Sequence, residues 1–401
     1  MSHFIVIGAG QAGQSIVTTL RGQGFDGKIT LIGDEPVPPY QRPPLSKAYL
    51  LGDMDLDRLY LRPLSYYDDE TIDLRMGASV TALDPIAKTI TVDGTPLSYD
   101  KLALATGSAP RLLPASIGGT LQGVYTMRTL ADADAIEPEF KEGASVLIVG
   151  GGYIGLEAAA VAAKKGLKVT LVEMSDRILQ RVASKETSDY FRALHQSHGV
   201  DLREGVGLET LVGETRVSAA KLTDGTTLDV DFVIVGVGIT PNTQLAELAG
   251  LVLDNGIMTD RHSCTSNPDI FAAGDCASFP HMGHQMRLES VGNAIDQGAV
   301  VAKNMLGQGV EYTPKPWFWS DQFDVKLQIA GLSTGHDQVV IRETETTRSH
   351  WYYKEGTLIA IDAINDPRGY MVAKRLIEAG KSADPAMVAD PATDLKALMR
   401  S

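Results

Sequence analysis

The residues whose types and spacing first announce chemistry are two clusters of three glycines. Gly8, Gly10 and Gly13 stand in Gly8-Ala9-Gly10-Gln11-Ala12-Gly13, directly after the apolar run Phe4-Ile5-Val6-Ile7. Gly150, Gly152 and Gly155 stand in Gly150-Gly151-Gly152-Tyr153-Ile154-Gly155, directly after Val146-Leu147-Ile148-Val149. At this spacing the first glycine makes a tight strand-to-helix turn. The second lets a pyrophosphate approach bare backbone, and the third lets the helix close onto the strand. The N–H groups at the start of the helix then hold the phosphates. Each cluster leads into a small-residue helical stretch and a second apolar strand with an acid at its end, which accepts hydrogen bonds from a ribose diol. The first copy gives Lys28-Ile29-Thr30-Leu31-Ile32 and Asp34; the second gives Val169-Thr170-Leu171-Val172 and Glu173. One such cluster is a weak motif, but two in full strand, turn, helix and strand context predict two dinucleotide sites. Two dinucleotides imply one permanently bound flavin and one exchanging nicotinamide.

Other segments read as strands that deliver small residues to those sites. Lys101-Leu102-Ala103-Leu104 ends in Ala105-Thr106-Gly107, and Phe232-Val233-Ile234-Val235 runs on to Val237-Gly238. Phe271-Ala272-Ala273-Gly274-Asp275 is a short strand and turn that brings Asp275 to a polar ligand, its place after the second glycine unit suggesting a return to the first domain. His195/His198 and His281/His284 have the i, i+3 spacing that can seed a metal site, but neither pair has a nearby Cys or a flanking Glu in a ligand pattern, so no metal is expected. No Ser-His-Asp order or paired-carboxylate motif supports hydrolysis.

The elements that position these residues need room, and 401 residues hold two or three domains of ordinary size. With 44% hydrophobic and 21% charged residues the composition is that of an ordered globular protein. No basic leader and no apolar stretch of spanning length points to export or to a membrane, so the expected place is the cytoplasm. A net charge of −14 argues against nucleic acid, which needs Lys and Arg to neutralise phosphates. The two cysteines, Cys264 and Cys276, match neither a C-x-x-C redox motif nor a zinc pattern. From about Tyr312 the chain becomes Trp-rich and alternating, which predicts strands of a further domain.

These residues, with Arg42-Pro43-Pro44-Leu45-Ser46-Lys47, Leu104 to Gly107, Gly155-Leu156-Glu157, Gly274-Asp275, Arg287-Leu288-Glu289-Ser290-Val291 and Trp317-Phe318-Trp319-Ser320-Asp321-Gln322, give the chain a resemblance to the FAD- and NADH-dependent ferredoxin reductases of bacterial oxygenase systems. The resemblance implies an α/β fold of two Rossmann-like dinucleotide-binding domains, glutathione-reductase-like, plus a smaller C-terminal α+β domain. It divides the chain into a flavin domain at 1–108 and 243–314, an NADH domain at 109–242 and a C-terminal domain at 315–401 that covers the flavin. By matching position, FAD contacts fall at Gly8, Gly10, Ala12, Gly13, Asp34, Arg42, Lys47, Val80, Ala105, Thr106, Gly107, Arg128, Asp275, Glu289, Ser290, Val291 and Trp319. NADH contacts fall at Gly150, Gly152, Tyr153, Ile154, Gly155, Glu157, Glu173, Arg181, Val237 and Gly238.

Three side chains are expected at the reacting end. An ammonium at Lys47, in a segment stiffened by two prolines, would stabilise negative charge on the reduced ring. Glu157, expected on the first turn of its helix, would pair with Lys47; an acid favoured there by the helix dipole is the plainer alternative. Trp319 would stack near the ring, with core packing beside Trp317 and Phe318 as its alternative. The implied partner is a two-iron, two-sulfur ferredoxin. Two other functions compete. A flavin disulfide or peroxide reductase would need a redox cysteine, and residues 1 to 263 contain none. A redox-sensing flavoprotein like apoptosis-inducing factor shares the fold, and steady NADH turnover with a ferredoxin separates it from a reductase.

Overall fold

The structure is a computed structural model that describes residues 2–399. Its contacts group the chain into two units. The first contains the residues up to Gln41, Asp55–Ala109 and Ile239–Pro316; the second contains Arg42–Met54, Pro110–Gly238 and the residues from Trp317 on. The short segment Arg42–Met54, inside the span expected of the flavin domain, therefore packs with the second unit.

Each unit is built around the same device. In the first, five parallel strands lie in the order Ile270–Ala272, Lys101–Leu104, His3–Ile7, Lys28–Ile32, Ile72–Arg75. The largely apolar runs of the three central strands are what a strand buried on both faces requires, and Ile5, Val6, Ile29, Leu31 and Leu102 are fully buried, whereas the edge strand Ile72–Arg75 alternates apolar and charged residues. In the second unit the order is Asp201–Glu204, Lys168–Glu173, Ser145–Val149, Phe232–Val235, Val124–Thr126, again parallel. Each unit also carries a three-stranded antiparallel meander: Val80–Asp84, Thr89–Val92 and Thr95–Ser98 in the first, Leu208–Val212, Ala219–Leu222 and Thr227–Asp229 in the second. The internal repeat thus extends beyond the glycine clusters, although the meanders share no sequence motif.

The change of composition after Tyr312 marks a five-stranded antiparallel sheet within the second unit. Its order is Trp317–Gln322, Val325–Gly331, Thr357–Ile364, Arg348–Lys354, Gln338–Glu343. The helix Pro367–Glu378 starts at Asp366, which accepts from the Gly369 N–H. Its apolar side, Tyr370, Val372, Ala373 and Leu376, joins Trp351, Tyr353 and Ile361 of the sheet in one core. Among the described residues no helix is long and apolar enough to cross a membrane, and no group of His, Cys, Asp or Glu is placed to hold a metal ion.

Candidate functional site

The two glycine turns have almost the same geometry. Gly8 and Gly150 both have φ +110°, a conformation that L side chains rarely adopt. A Cβ on Gly8 would lie 2.0 Å from the Ala105 carbonyl oxygen, and one on Gly150 would lie 2.4 Å from that of Gly236. At the third position a Cβ on Gly13 would lie 1.9 Å from the Gly8 carbonyl oxygen, and one on Gly155 would lie 2.1 Å from that of Gly150. Gly8 and Gly150 let the turn pass the end of the neighbouring strand, Gly13 and Gly155 let the helix close onto the turn, and all four are needed by the fold itself.

The middle glycines are different, and they test whether a dinucleotide fits. A Cβ on Gly10 or Gly152 would meet nothing within 4 Å. Both residues have ordinary extended φ, −92° and −80°, so neither backbone nor packing demands glycine there. Each precedes a 12-residue helix, Gln11–Gly22 or Tyr153–Lys164, that has no side-chain cap and no acid in its first turn. By contrast the helices starting after Thr129, Ser184 and Ser290 are all capped by those hydroxyls. An uncapped helix start beside open backbone is what a pyrophosphate needs, and among the described helices of twelve residues or more these two are the ones without a side-chain cap.

The acids at the strand ends are not equivalent. Ile7 pairs with Ile32 and Val149 with Val172, so the residue matching Glu173 in the first unit is Gly33, and Asp34 lies one position further on. The space is exchanged between neighbours: a Cβ on Gly33 would lie 2.5 Å from Ala9 Cβ, whereas Glu173 sits against Gly151. Alternation along the strand turns Asp34 to another direction, and it is exposed. The Glu173 carboxylate accepts from the Gly151 N–H at 2.7 Å and the Ser175 N–H at 2.8 Å, one on each oxygen. It therefore holds the glycine turn in shape, and each oxygen keeps a further lone pair. Of the nearby arginines, Arg177 donates to the carbonyls of Ala183 at 2.9 Å and Ser184 at 3.2 Å and to the Ser188 hydroxyl, tying down its loop. Arg181 is exposed. Ile154, Val237 and Gly238 flank the second turn in the same unit, Val237 exposed and Gly238 at φ +101°.

In the first unit the Ala105-Thr106-Gly107 turn is locked by Asn242, which no sequence signal marked. The Thr106 hydroxyl donates to the Asn242 carbonyl at 2.6 Å, and the Asn242 amide donates back to the Thr106 carbonyl at 2.9 Å. Asp275 accepts from the Ser108 hydroxyl at 2.9 Å, and its carbonyl accepts from Arg287. Glu289 pairs with Arg287 at 2.8 Å, Ser290 caps the helix Val291–Met305, and Ala12 and Val80 pack into the two cores of this unit. Arg42, Lys47, Arg128 and Trp319 belong to the second unit, where Arg42 donates to the Arg128 carbonyl at 2.9 Å.

Also in the second unit, Lys47 and Glu157 come together at 3.0 Å. Glu157 is the fifth residue of its helix rather than part of the first turn, so the helix dipole does not explain it. Only 4% of the residue is exposed. Oε2 accepts from the Ser46 hydroxyl at 2.9 Å and Oε1 from the Ser320 hydroxyl at 2.6 Å. Burial pushes the carboxyl above the usual range, while Lys47 and the two serines pull it down. Removing Lys47 alone would leave this carboxylate buried without a counter-charge, at a cost of about 3–5 kcal/mol. The Lys47 ammonium lies 5.8 Å from the centre of the Trp319 ring, which stacks on Trp317 at 5.5 Å. Phe318 points to the opposite side of the strand and meets Tyr153 at 4.8 Å. Ser46 and Ser320 lie inside the two motifs quoted above, but sequence alone gave them no role.

Neither thiol competes for a redox role. Burial pushes Cys264 up to about 11 and also raises Cys276, so neither is a ready thiolate.

Residues 2–298 match the family model described as pyridine nucleotide-disulphide oxidoreductase, and residues 317–399 match the one described as reductase C-terminal. Rhodocoxin reductase of Rhodococcus erythropolis is 42% identical over 398 residues, covering 98% of this chain and 93% of that protein. Putidaredoxin reductase of Pseudomonas putida is 38% identical over 407 residues, covering 99% and 96%. The crystal structure of the covalent putidaredoxin reductase–putidaredoxin complex matches with a TM-score of 0.96 at 37% identity, covering 100% of this chain and 98% of that one.

Proposed function

Because the chain belongs to the pyridine nucleotide-disulphide oxidoreductase family, and its relatives are reductases of redoxin proteins, we propose that it is a cytoplasmic NADH:ferredoxin oxidoreductase serving a monooxygenase or dioxygenase. The observation that carries this reading is the pair of open, uncapped glycine turns, one per unit, each fitted to a pyrophosphate. FAD, when bound, supplies the conversion between the hydride of NADH and the single electrons that a two-iron, two-sulfur ferredoxin accepts.

The chain's residues divide the work. Residues 1–108 and 243–314 form the flavin domain, with Gly10 and the helix start after it on the pyrophosphate and Asp34, one position beyond the place that matches Glu173, on the ribose. Residues 109–242 form the NADH domain, with Gly152 and Glu173 in the matching roles, and 315–401 form the C-terminal domain. Lys47 and Trp319 are assigned to the redox end of the flavin. Glu157 holds the Lys47 ammonium at a fixed place, and the indole excludes water. Steady NADH consumption that depends on a two-iron, two-sulfur ferredoxin tests the reading; a flavoprotein that binds NADH but turns it over at the same slow rate with and without ferredoxin would support a redox-sensing role instead.

The choice of nicotinamide follows from Glu173. A 2′-phosphate removes a hydroxyl donor and sets its charge against the carboxylate. Losing one charge-assisted hydrogen bond costs about 1.5–3 kcal/mol, so kcat/KM for NADH exceeds that for NADPH by roughly 10- to 150-fold. Glu173→Ala brings the two values together, and because the side chain also holds Gly151 and Ser175 it lowers the NADH value as well. A wild-type enzyme indifferent to the 2′-phosphate would remove Glu173 from the ribose.

A further inference from the structure

The Lys47–Glu157 pair is the end of a longer chain of buried hydrogen bonds within the second unit. Beyond Ser320, the Gln322 amide donates to the Ser320 hydroxyl oxygen at 3.1 Å, and Gln322 Oε1 meets His195 Nε2 at 2.8 Å. Ser320, Gln322 and His195 are all fully buried. The chain joins the strand Trp317–Gln322 to two helices of the same unit, Tyr153–Lys164 and Lys185–Ser197.

The direction of every donor in it is determined. The Lys47 ammonium 3.0 Å from Glu157 Oε1 leaves no room for a proton carried by that oxygen, so across the 2.6 Å contact it is the Ser320 hydroxyl that donates to Glu157. Its lone pair is then free to accept, which turns the Gln322 amide nitrogen towards it and the amide oxygen towards His195. His195 must therefore carry its proton on Nε2. Burial lowers this imidazole to about 4, so it is neutral and has only that one proton. Consistently, Nδ1 is buried with no hydrogen-bond partner. Flipping the amide would set Gln322 Oε1 against the Ser320 oxygen and draw its proton away from Glu157.

We propose that Gln322 and His195 are positioning residues for the Lys47–Glu157 pair: through Ser320 they keep a hydroxyl donor on Glu157 and so hold it as the carboxylate partner of the Lys47 ammonium. Neither residue needs to touch a ligand for this. The effect on the flavin rests on the assignment of Lys47 and Glu157 to its redox end. Loss of the donor weakens the carboxylate, leaves the ammonium less compensated and stabilises negative charge on the reduced ring.

The test is the midpoint potential of FAD in the holoprotein, measured by spectroelectrochemistry in the wild type, Gln322→Met, Glu157→Gln and the double variant. Glu157→Gln raises the potential by removing the compensating charge. Gln322→Met, similar in size but without donor or acceptor, shifts it in the same direction by a smaller amount, and in the Glu157→Gln background it adds nothing. An equal Gln322→Met shift in both backgrounds would mean a general packing effect and overturn the proposal. Absence of a Gln322→Met shift, with Glu157→Gln still effective, would overturn it while leaving the assignment of Glu157 intact. Absence of any Glu157→Gln shift would overturn that assignment and the proposal with it. If Gln322→Met does not fold, His195→Leu and His195→Gln carry the test: the first reproduces the shift, the second restores a donor and the wild-type potential, and identical potentials in the two contradict the proposal.

Discussion

Gly10→Val is expected to fold and to be colourless. The backbone at Gly10 is ordinary extended chain, and its Cβ position is open, so the substitution costs the apoprotein little stability. The same open space is where a pyrophosphate approaches the helix start, and the valine methyls fill it. Displacing the phosphates forfeits about two charge-assisted hydrogen bonds at roughly 1.5–3 kcal/mol each, which lowers FAD affinity by about 10²- to 10⁴-fold. Gly13→Val makes the necessary comparison. Its Cβ would lie 1.9 Å from the Gly8 carbonyl oxygen, so that variant loses the fold as well as the flavin. Flavin absorbance after purification and the apoprotein melting temperature distinguish the two. A Gly10→Val protein with full flavin occupancy would show that the first turn does not hold the pyrophosphate.

The second large effect is the mirror of the first. Gly152→Val is expected to keep FAD and to be blind to NADH, since Gly152 has the same open Cβ position on the second turn. Dithionite still bleaches this variant, whereas NADH at wild-type saturating concentration bleaches it slowly or not at all. The affinity loss follows the same arithmetic, about 10²- to 10⁴-fold. The two variants together assign one dinucleotide to each turn. Loss of flavin in Gly152→Val, with NADH binding retained, would reverse the assignment.

The glycine turns were legible in the sequence because their spacing is forced by local sterics. Gly8 needs positive φ, Gly13 needs contact with Gly8, and both demands fall within one turn of chain. The C-terminal sheet was legible in its aromatic and aliphatic runs, Trp351-Tyr352-Tyr353 and Leu358 to Ile361, but the alternation expected of them is absent, because these central strands are buried almost continuously. What the sequence concealed depends on register between distant segments. The one-position offset between Asp34 and Glu173 appears only when Ile7 is aligned with Ile32 and Val149 with Val172. Once that register is known, Ala9 with Gly33 and Gly151 with Glu173 read as two solutions to one packing problem. Asn242 was silent because its partners lie 136 residues away. The chain from His195 to Lys47 draws on four separate segments, and no spacing rule connects them. Glu157 reads in the sequence as a first-turn acid able to pair with Lys47; the two lie 3.0 Å apart, but Glu157 is the fifth helical residue, beyond that first turn.

The most direct test of the central claim, that one chain holds FAD and NADH and delivers single electrons, is an anaerobic titration of the purified protein followed by visible absorbance. The account predicts a yellow protein with one FAD per chain, bleached by stoichiometric NADH and returned to yellow by an oxidised two-iron, two-sulfur ferredoxin, each NADH reducing two ferredoxin molecules. A colourless protein that takes up no FAD, or a flavin that dithionite reduces and NADH does not, would contradict it.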